Sequence, residues 1–587
     1  MNDLSKLLEG RRWRRGRLWR APPLALAVTL VFAGPLSMPR AETTAAPDPV
    51  ASRPVAVGEY LAARFADSAN DSRAAIKHYL AVLEHNPDNL ALLRRALSLA
   101  VRGGEMKQAL VLADRLKANA ASSAIAGLLQ VLRDTRDGHY AAALKELDGP
   151  EGNGFNQLLE TVVRAWVLAG QKKFSEALGA LDKMKSQRAL GRFRDYHAAL
   201  LLDFAGRPAK AEVAYQAVVD RGEASTRTIL AYGNFLARQG RRDDEKALYD
   251  EFLAKFPGSP LIAAAEAAIA GRKKPVARLV GSPAAGIAEG LFFTAQALSP
   301  GTGRAASVIY LRLALFLRPD FDDGRFLLGN VLENVGLPGD AIEEYTRIGS
   351  RSPLHWLASL QLAAAYNALD RQPEAIKVLD GLIAKKPDDV QALTMMGNVR
   401  RESEDYSAAV KFYDRAIAAS GEFSASHWVL FYTRGIAYEQ TDRWDLAEKD
   451  FQRALELQPN QPLVLNYLGY SWIDQNRNFD KASEMIEKAA ELRPNDGYIV
   501  DSLGWSRYRL GAYEEAVETL ERAVLLQPED PTINDHLGDA YWKVGRFREA
   551  RFQWQHALAR DPDAKQAIAI RDKLQAGLVT VKNLEPR

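Results

Sequence analysis

Residues able to do chemistry are spread too thinly along this chain to form a catalytic centre. The eight histidines stand at 78, 85, 139, 197, 355, 427, 536 and 556. Only His78 and His85 come close, at i, i+7, and nothing nearby completes a metal set. No G-x-x-x-x-G-K-S/T phosphate loop, H-E-x-x-H zinc helix or G-x-S-x-G nucleophile elbow occurs. Cysteine is absent. That removes disulfides, thiolate metal sites, a cysteine nucleophile and a lipid-modified N-terminal cysteine. The acidic pairs Glu343–Glu344 and Glu514–Glu515 fall on expected helices, where a solvated face accounts for them. The expectation is a chain that binds rather than catalyses, without cofactor or metal.

What positions the remaining candidates is a repeat. Between Asn495 and Pro562 two blocks of 34 residues lie back to back. Leu503, Gly504, Gly511, Ala516, Ala523 and Pro528 recur as Leu537, Gly538, Gly545, Ala550, Ala557 and Pro562. A fixed period of this length is the signature of a stacked array. Gly504 and Gly538 fall midway along a first helix, and Ala516 and Ala550 on a second. Small side chains at both places let the two helices approach. Gly511 and Gly545 fall at the turn, where a residue without a Cβ takes a positive φ at little cost. Pro528 and Pro562 end the second helix, because proline lacks the N–H and restricts the residue before it. Leu503, Leu520, Leu537 and Trp554 fill the space between pairs. One pair cannot bury its apolar faces alone, so the fold exists only as a stack.

These residues resemble the tetratricopeptide repeat (TPR), an antiparallel helix pair. The resemblance implies an all-α solenoid, a right-handed superhelix of about 14 pairs, in one run or two segments. No stretch alternates with period two over a useful length, so no strand is expected.

Along the chain, residues 1–41 read as a signal peptide or signal anchor. An arginine-rich leader precedes a short apolar run, Ala21–Phe32, too short for a comfortable membrane span. This leader distorts the formal charge of +3. It holds eight basic and two acidic residues, so the rest carries 69 against 72, a net of −3. Such a balance offers nothing to draw nucleic acid. Residues 42–57 read as a linker, 58–257 as a degenerate N-terminal array and 287–562 as a C-terminal array. Residues 563–578 read as a capping helix and 579–587 as a tail. Between the arrays, 258–286 breaks the rhythm with an alanine-rich helix, GRKKPV and GSPAAG. It is either a degenerate repeat or a joint between superhelical segments.

The TPR resemblance places first helices on the concave side, and recurring positions there are the candidate protein-binding surface. In the last three repeats they are Asn466, Tyr470, Ile473 and Asp474, then Asp501, Trp505, Tyr508 and Arg509, then Asp535, Asp539, Trp542 and Lys543. Tyr470 and Trp505 are equivalent by repeat position, as are Tyr508 and Trp542. Aromatic rings framed by charge have the composition of binding hot spots. Asn234, Asn330 and Asn398 share one position in earlier repeats, where asparagine of peptide-binding TPR domains contacts ligand backbone. The lysines of a carboxylate clamp are missing.

The run LNYLGYSWIDQNRNFDKASEMIEKAAELRPNDGYIVDSLGWSRYRLG, followed by HLGDAYW, is similar to exported bacterial TPR proteins of the LbcA kind. These are adaptors of a carboxyl-terminal processing protease that present cell-wall hydrolases to it. The resemblance covers about Pro319–Pro562. It implies a periplasmic scaffold with protein partners, those two classes among them. The lack of cysteine departs from lipoprotein members. Membrane attachment would then rest on an uncleaved N-terminal segment in the inner membrane. The alternative is a scaffold subunit of an envelope polysaccharide or secretion complex.

Overall fold

A computed structural model describes residues 54–119, 123–148, 157–186, 190–222, 224–272 and 275–578. The expected export signal, most of the linker and the tail lie outside the described residues. Those described hold thirty α-helices and no strand. Twenty-eight helices form fourteen antiparallel hairpins, which makes this an all-α repeat fold.

Six hairpins come first. They are α1 (Pro54–Ser68) with α2 (Ser72–His85), α3 (Leu90–Gly103) with α4 (Met106–Ala118), and α5 (Ala124–Arg136) with α6 (Tyr140–Leu147). Next are α7 (Gln157–Gly170) with α8 (Phe174–Asp182), α9 (Gly191–Phe204) with α10 (Pro208–Asp220), and α11 (Thr226–Arg238) with α12 (Arg242–Lys255). A single helix, α13 (Pro260–Gly271), packs on α11 and α12. Then follow α14 (Pro283–Leu298) with α15 (Arg304–Leu317), α16 (Asp322–Asn334) with α17 (Pro338–Thr346), and α18 (His355–Ala368) with α19 (Gln372–Lys385). These hairpins lie in one compact unit, and residues 388–578 form a second. The second contains α20 (Val390–Glu402) with α21 (Tyr406–Ala419), α22 (Trp428–Glu439) with α23 (Trp444–Leu457), and α24 (Pro462–Asp474) with α25 (Phe479–Leu492). It ends with α26 (Gly497–Arg509) and α27 (Tyr513–Leu526), α28 (Pro531–Lys543) and α29 (Phe547–Leu558), and the lone α30 (Ala564–Ala576).

One packing rule builds many of these hairpins. A glycine of the first helix faces the large side chain sixteen residues later on the second. A Cβ on Gly397 would lie 2.5 Å from Tyr413, on Gly435 2.7 Å from Phe451, on Gly504 2.5 Å from Leu520 and on Gly538 2.5 Å from Trp554. Gly233 with Tyr249 and Gly329 with Tyr345 obey the same rule. Gly511 and Gly545 take the left-handed turn, at φ +83° and +81°. Asp496 and Asp530 cap the following first helices, each accepting from two backbone N–H groups, which satisfies donors with no partner inside the helix. The cap α30 buries Ile570 against Leu537, Ala540 and Trp554.

Successive first helices pack on one another in both units. Examples are α7 on α9, α9 on α11, α24 on α26 and α26 on α28, a closer packing than any found between successive second helices of the described residues. First helices therefore form the inner layer.

Within 54–387 the inner layer is already occupied. Helix α14 lies on α5, α7 and α9, and α15 on α3 and α5. Small residues make this fit possible. A Cβ on Gly286 would fall inside the Trp166 indole of α7, and one on Gly290 would lie 2.8 Å from Val162. Helix α14 is apolar nearly all round and buried nearly all round, as a helix in a filled groove must be. Its one acid, Glu289, is 1% exposed. It accepts from Tyr196 Oη at 3.0 Å, from Arg227 and from Arg318 Nη1 at 3.3 Å.

The structure therefore corrects three expectations. Residues 258–286 lie inside a compact unit rather than between two, because α14 and α15 fold back onto the first repeats. One apolar core consequently runs from Ala63 to Ala358. Helix α1 starts at Pro54, inside the expected linker, since proline suits the first turn, where its missing N–H costs nothing. Glu344 is fully buried rather than solvated. It accepts from Arg312 at 2.6 Å, Arg325 at 2.7 Å and Arg347 at 2.8 Å.

Candidate protein-binding surface

The inner layer of residues 388–578 consists of α20, α22, α24, α26 and α28, and most candidate residues sit on it. Trp505 is the centre of an aromatic stack. Its ring lies on Tyr508 at 4.7 Å with an interplanar angle of 10°, and on His536 at 4.0 Å and 14°. Tyr508 also meets Tyr513 edge-on at 5.4 Å. The Trp505 indole Nε1 is buried and has no hydrogen-bond partner. One hairpin earlier, Asn466 is buried with its Oδ1 equally unpartnered. Tyr470 is half-buried on the same helix, Ile473 is fully buried, and Asp474 is exposed 3.9 Å from Arg509. Arg509 spends one nitrogen on Asn476 at 2.6 Å.

His536 completes the stack. Its Nδ1 donates to Asp501 Oδ1 at 3.0 Å. Burial alone would lower its pKa, but the Asp501 charge and hydrogen bond, helped by Asp535 and Asp539, leave it raised. His536 is the residue that sequence reasoning missed. The available signal was its place one residue after Asp535 in a first helix.

The acids of the last repeat serve the cap rather than an open surface. Asp535 and Asp539 are buried, and Lys573 of α30 reaches Asp535 Oδ1 and Asp539 Oδ2 at 2.8 Å each. Asp539 also accepts from Trp554 Nε1 at 2.9 Å. Burial raises the Asp539 pKa, and Lys573 pulls against the rise. Trp542 is likewise a packing residue. Its ring meets Phe547 at 4.6 Å and Trp554 at 5.3 Å, and a Cβ on Gly577 would fall inside it. Lys543 is exposed, 5.7 Å from the Tyr513 ring.

The three equivalent asparagines are separated. Asn330 and Asn398 use their carbonyl oxygens internally, accepting from Tyr345 at 2.7 Å and Tyr413 at 2.8 Å. Each bond ties the two helices of one hairpin. Asn234 makes no such bond with Tyr249, whose hydroxyl is buried without a partner. The structure thus brings Asn466, Tyr470, Asp501, Trp505 and Tyr508 onto adjoining helices α24 and α26, and leaves Asn234 and Asn330 in the other unit.

Comparison with known proteins agrees with the repeat reading. Residues 504–545 match a family model described as TPR repeat, and residues 326–390 and 428–461 match models described as tetratricopeptide repeat. These three segments therefore carry tetratricopeptide repeats. The chain is similar to anaphase-promoting complex subunit 3 of Schizosaccharomyces pombe, with 27% identity over 118 residues. That match covers 20% of this chain and 17% of the relative, so the chain spans under a fifth of the curated relative's length. Among solved structures, the Cut9–Hcn1 hetero-tetramer of APC/C aligns at 15% identity with a TM-score of 0.38, covering 89% of this chain and 96% of that one. A tetratricopeptide repeat protein from Parabacteroides merdae aligns at 15% identity and a TM-score of 0.35, covering 43% and 97%.

Proposed function

We propose that this chain is an exported, non-catalytic adaptor of the bacterial envelope that captures an extended protein segment on α24 and α26. One observation carries the binding face. Asn466 Oδ1 and Trp505 Nε1 are a buried acceptor and a buried donor without partners. Unmet buried polar groups are costly, and a peptide unit supplies one N–H and one C=O to match them. The other unit's inner layer is filled by α14, which leaves this face as the better candidate. Export rests on the basic leader and short apolar run. The LbcA-like run supports a carboxyl-terminal processing protease and its cell-wall hydrolase substrates as partners. Among the described residues no helix is long and apolar enough to cross a membrane.

A photo-crosslinking side chain placed at Tyr470, in cells, tests this reading. The expected result is one envelope protein crosslinked from position 470 and not from the outward-facing Leu525. Crosslinks from position 525 alone would move the site off the inner layer. A periplasm-only reporter fused after Pro54 should be active, and activity of a cytoplasm-only reporter there would refute export.

A further inference from the structure

Within residues 54–387, the first hairpin, the end of α3 and the α15–α17 segment line a pocket of about 200 Å³. Its polar side is Asn70, Ser72, Arg102 and Asp340, and Val308 and Leu337 are among its apolar walls. Two charges line it, and neither has a close ion-pair partner among the described residues. Among the described residues Arg102 makes one side-chain hydrogen bond, from Nη2 to Asn70 Oδ1 at 3.3 Å, and no ion pair, although the Asp67 charge acts on it from farther off. Asp340 has one ion pair, to Arg73 at 3.8 Å, and feels the Arg312 charge from farther off. Arg73 is already committed to both oxygens of Glu343, at 2.6 and 2.7 Å. The neighbouring Arg312 is taken by Glu344 and the Arg102 carbonyl. Burial disfavours both charges, lowering the Arg102 pKa and raising that of Asp340.

We infer that this cavity binds a small zwitterion, an α-amino acid with a short apolar side chain. The carboxylate sits on Arg102, the ammonium on Asp340, and the side chain against Val308 and Leu337. A guanidinium pairs with a carboxylate in a charge-assisted, two-pronged geometry. An ammonium supplies the donors that Asp340 lacks. The volume suits the ligand, because one water occupies about 30 Å³ and a molecule of roughly six to eight heavy atoms replaces six or seven waters. A simple acid would leave Asp340 with only its distant arginines, and a simple amine would leave Arg102 without an ion pair. The inference does not depend on the adaptor reading, since the cavity lies in the other unit.

Calorimetric titration of the full chain with valine, glycine, isovalerate and isobutylamine tests it. Valine should bind, with glycine and both half-molecules at least tenfold weaker. Arg102→Gln and the nearly isosteric Asp340→Asn should each weaken valine at least tenfold, with unchanged circular dichroism. If Arg102→Gln fails to fold, Asp340→Asn alone decides. No heat with valine at millimolar concentration would show a cavity filled by water only and overturn the inference. So would valine binding that Asp340→Asn leaves unchanged, or isovalerate binding as tightly as valine.

Discussion

Gly286 of α14 lies flat against the Trp166 indole of α7, and no side chain fits between them. This contact joins residues 120 positions apart, although repeat arrays are ordinarily held by nearest neighbours alone. The unit 54–387 is therefore cooperative in a way a plain solenoid is not.

Gly286→Val should push α14 off Trp166. Overpacking of this kind costs about 1–3 kcal/mol. The expected result is a lower thermal midpoint, with new protease cleavage between 272 and 320. Gly381→Ala is the contrast. That helical glycine has open space around its Cβ position, so the change should stabilise by about 0.5–1 kcal/mol. Equal effects from both would show that α14 is not seated as described.

Acid should loosen the same contact. His197 is buried beneath α14, and its Nδ1 accepts from Trp166 Nε1 at 3.1 Å. Its proton must then sit on Nε2, so the ring is neutral. Burial lowers its pKa to about 3. The unfolded chain takes up this proton near pH 6.5 and the folded chain does not. The stabilising contribution is complete above pH 6.5 and falls by about 1.4 kcal/mol per pH unit from there toward pH 3. Protection against hydrogen exchange in α7 and α9, taken relative to the intrinsic rate at each pH, should fall between pH 7 and pH 5. His197→Gln keeps an acceptor for Trp166 and should flatten that dependence. An equal slope in both proteins would refute the assignment.

His536 should behave in the opposite sense. Its folded pKa is raised above the ordinary 6.5 despite burial, because Asp501 holds the charged form. The contribution is therefore full below pH 6.5 and is lost as pH rises through the folded value. Protection in α26 and α28, relative to the intrinsic rate at each pH, should fall on the alkaline side, and His536→Gln should remove that trend. A trend of the same sign as in α7 and α9 would count against the Asp501 pairing.

Lys573→Met should leave Asp535 and Asp539 buried without a cation. Breaking a buried ion pair on one side costs about 3–5 kcal/mol. The C-terminal repeats should lose protection in α28 to α30. Adding Asp535→Asn and Asp539→Asn should recover much of it, because the uncompensated charge is then gone. No recovery would mean that Lys573 acts through packing alone.

The sequence discloses what the period encodes. Gly504 and Leu520, and Gly511 at the turn, are local features with local causes, and each occurs where the 34-residue spacing puts it. The period says nothing about contacts between distant repeats. Glu344 looks like one of two surface acids, because its arginines come from α15, α16 and the turn after α17. GSPAAG looks like a joint, because the indole that needs those small residues is far away in the chain. Trp542 has the same type and repeat position as a recognition residue, yet Gly577, just after α30, packs on it.

That difference separates the last prediction into two arms. Trp505→Phe preserves a ring able to stack on Tyr508 and His536, and removes only the unpartnered N–H. Asn466→Leu removes the unpartnered oxygen. Neither group is used inside the fold, and relief of an unmet buried polar atom is neutral to stabilising. Both variants should therefore melt at or above the parental temperature. Each should weaken the crosslinked partner by roughly 1–2 kcal/mol, the scale of one hydrogen bond. Trp542→Ala should behave inversely. It removes a ring wedged among Phe547, Trp554 and Gly577, so it should lower the melt by about 3–5 kcal/mol through a core cavity. Its effect on binding should be no larger than its effect on folding. Affinity and melting temperature measured together on all three variants decide the matter. Weaker binding with an intact melt at positions 466 and 505 places the ligand on α24 and α26. Parental affinity in both would place it elsewhere on the inner layer.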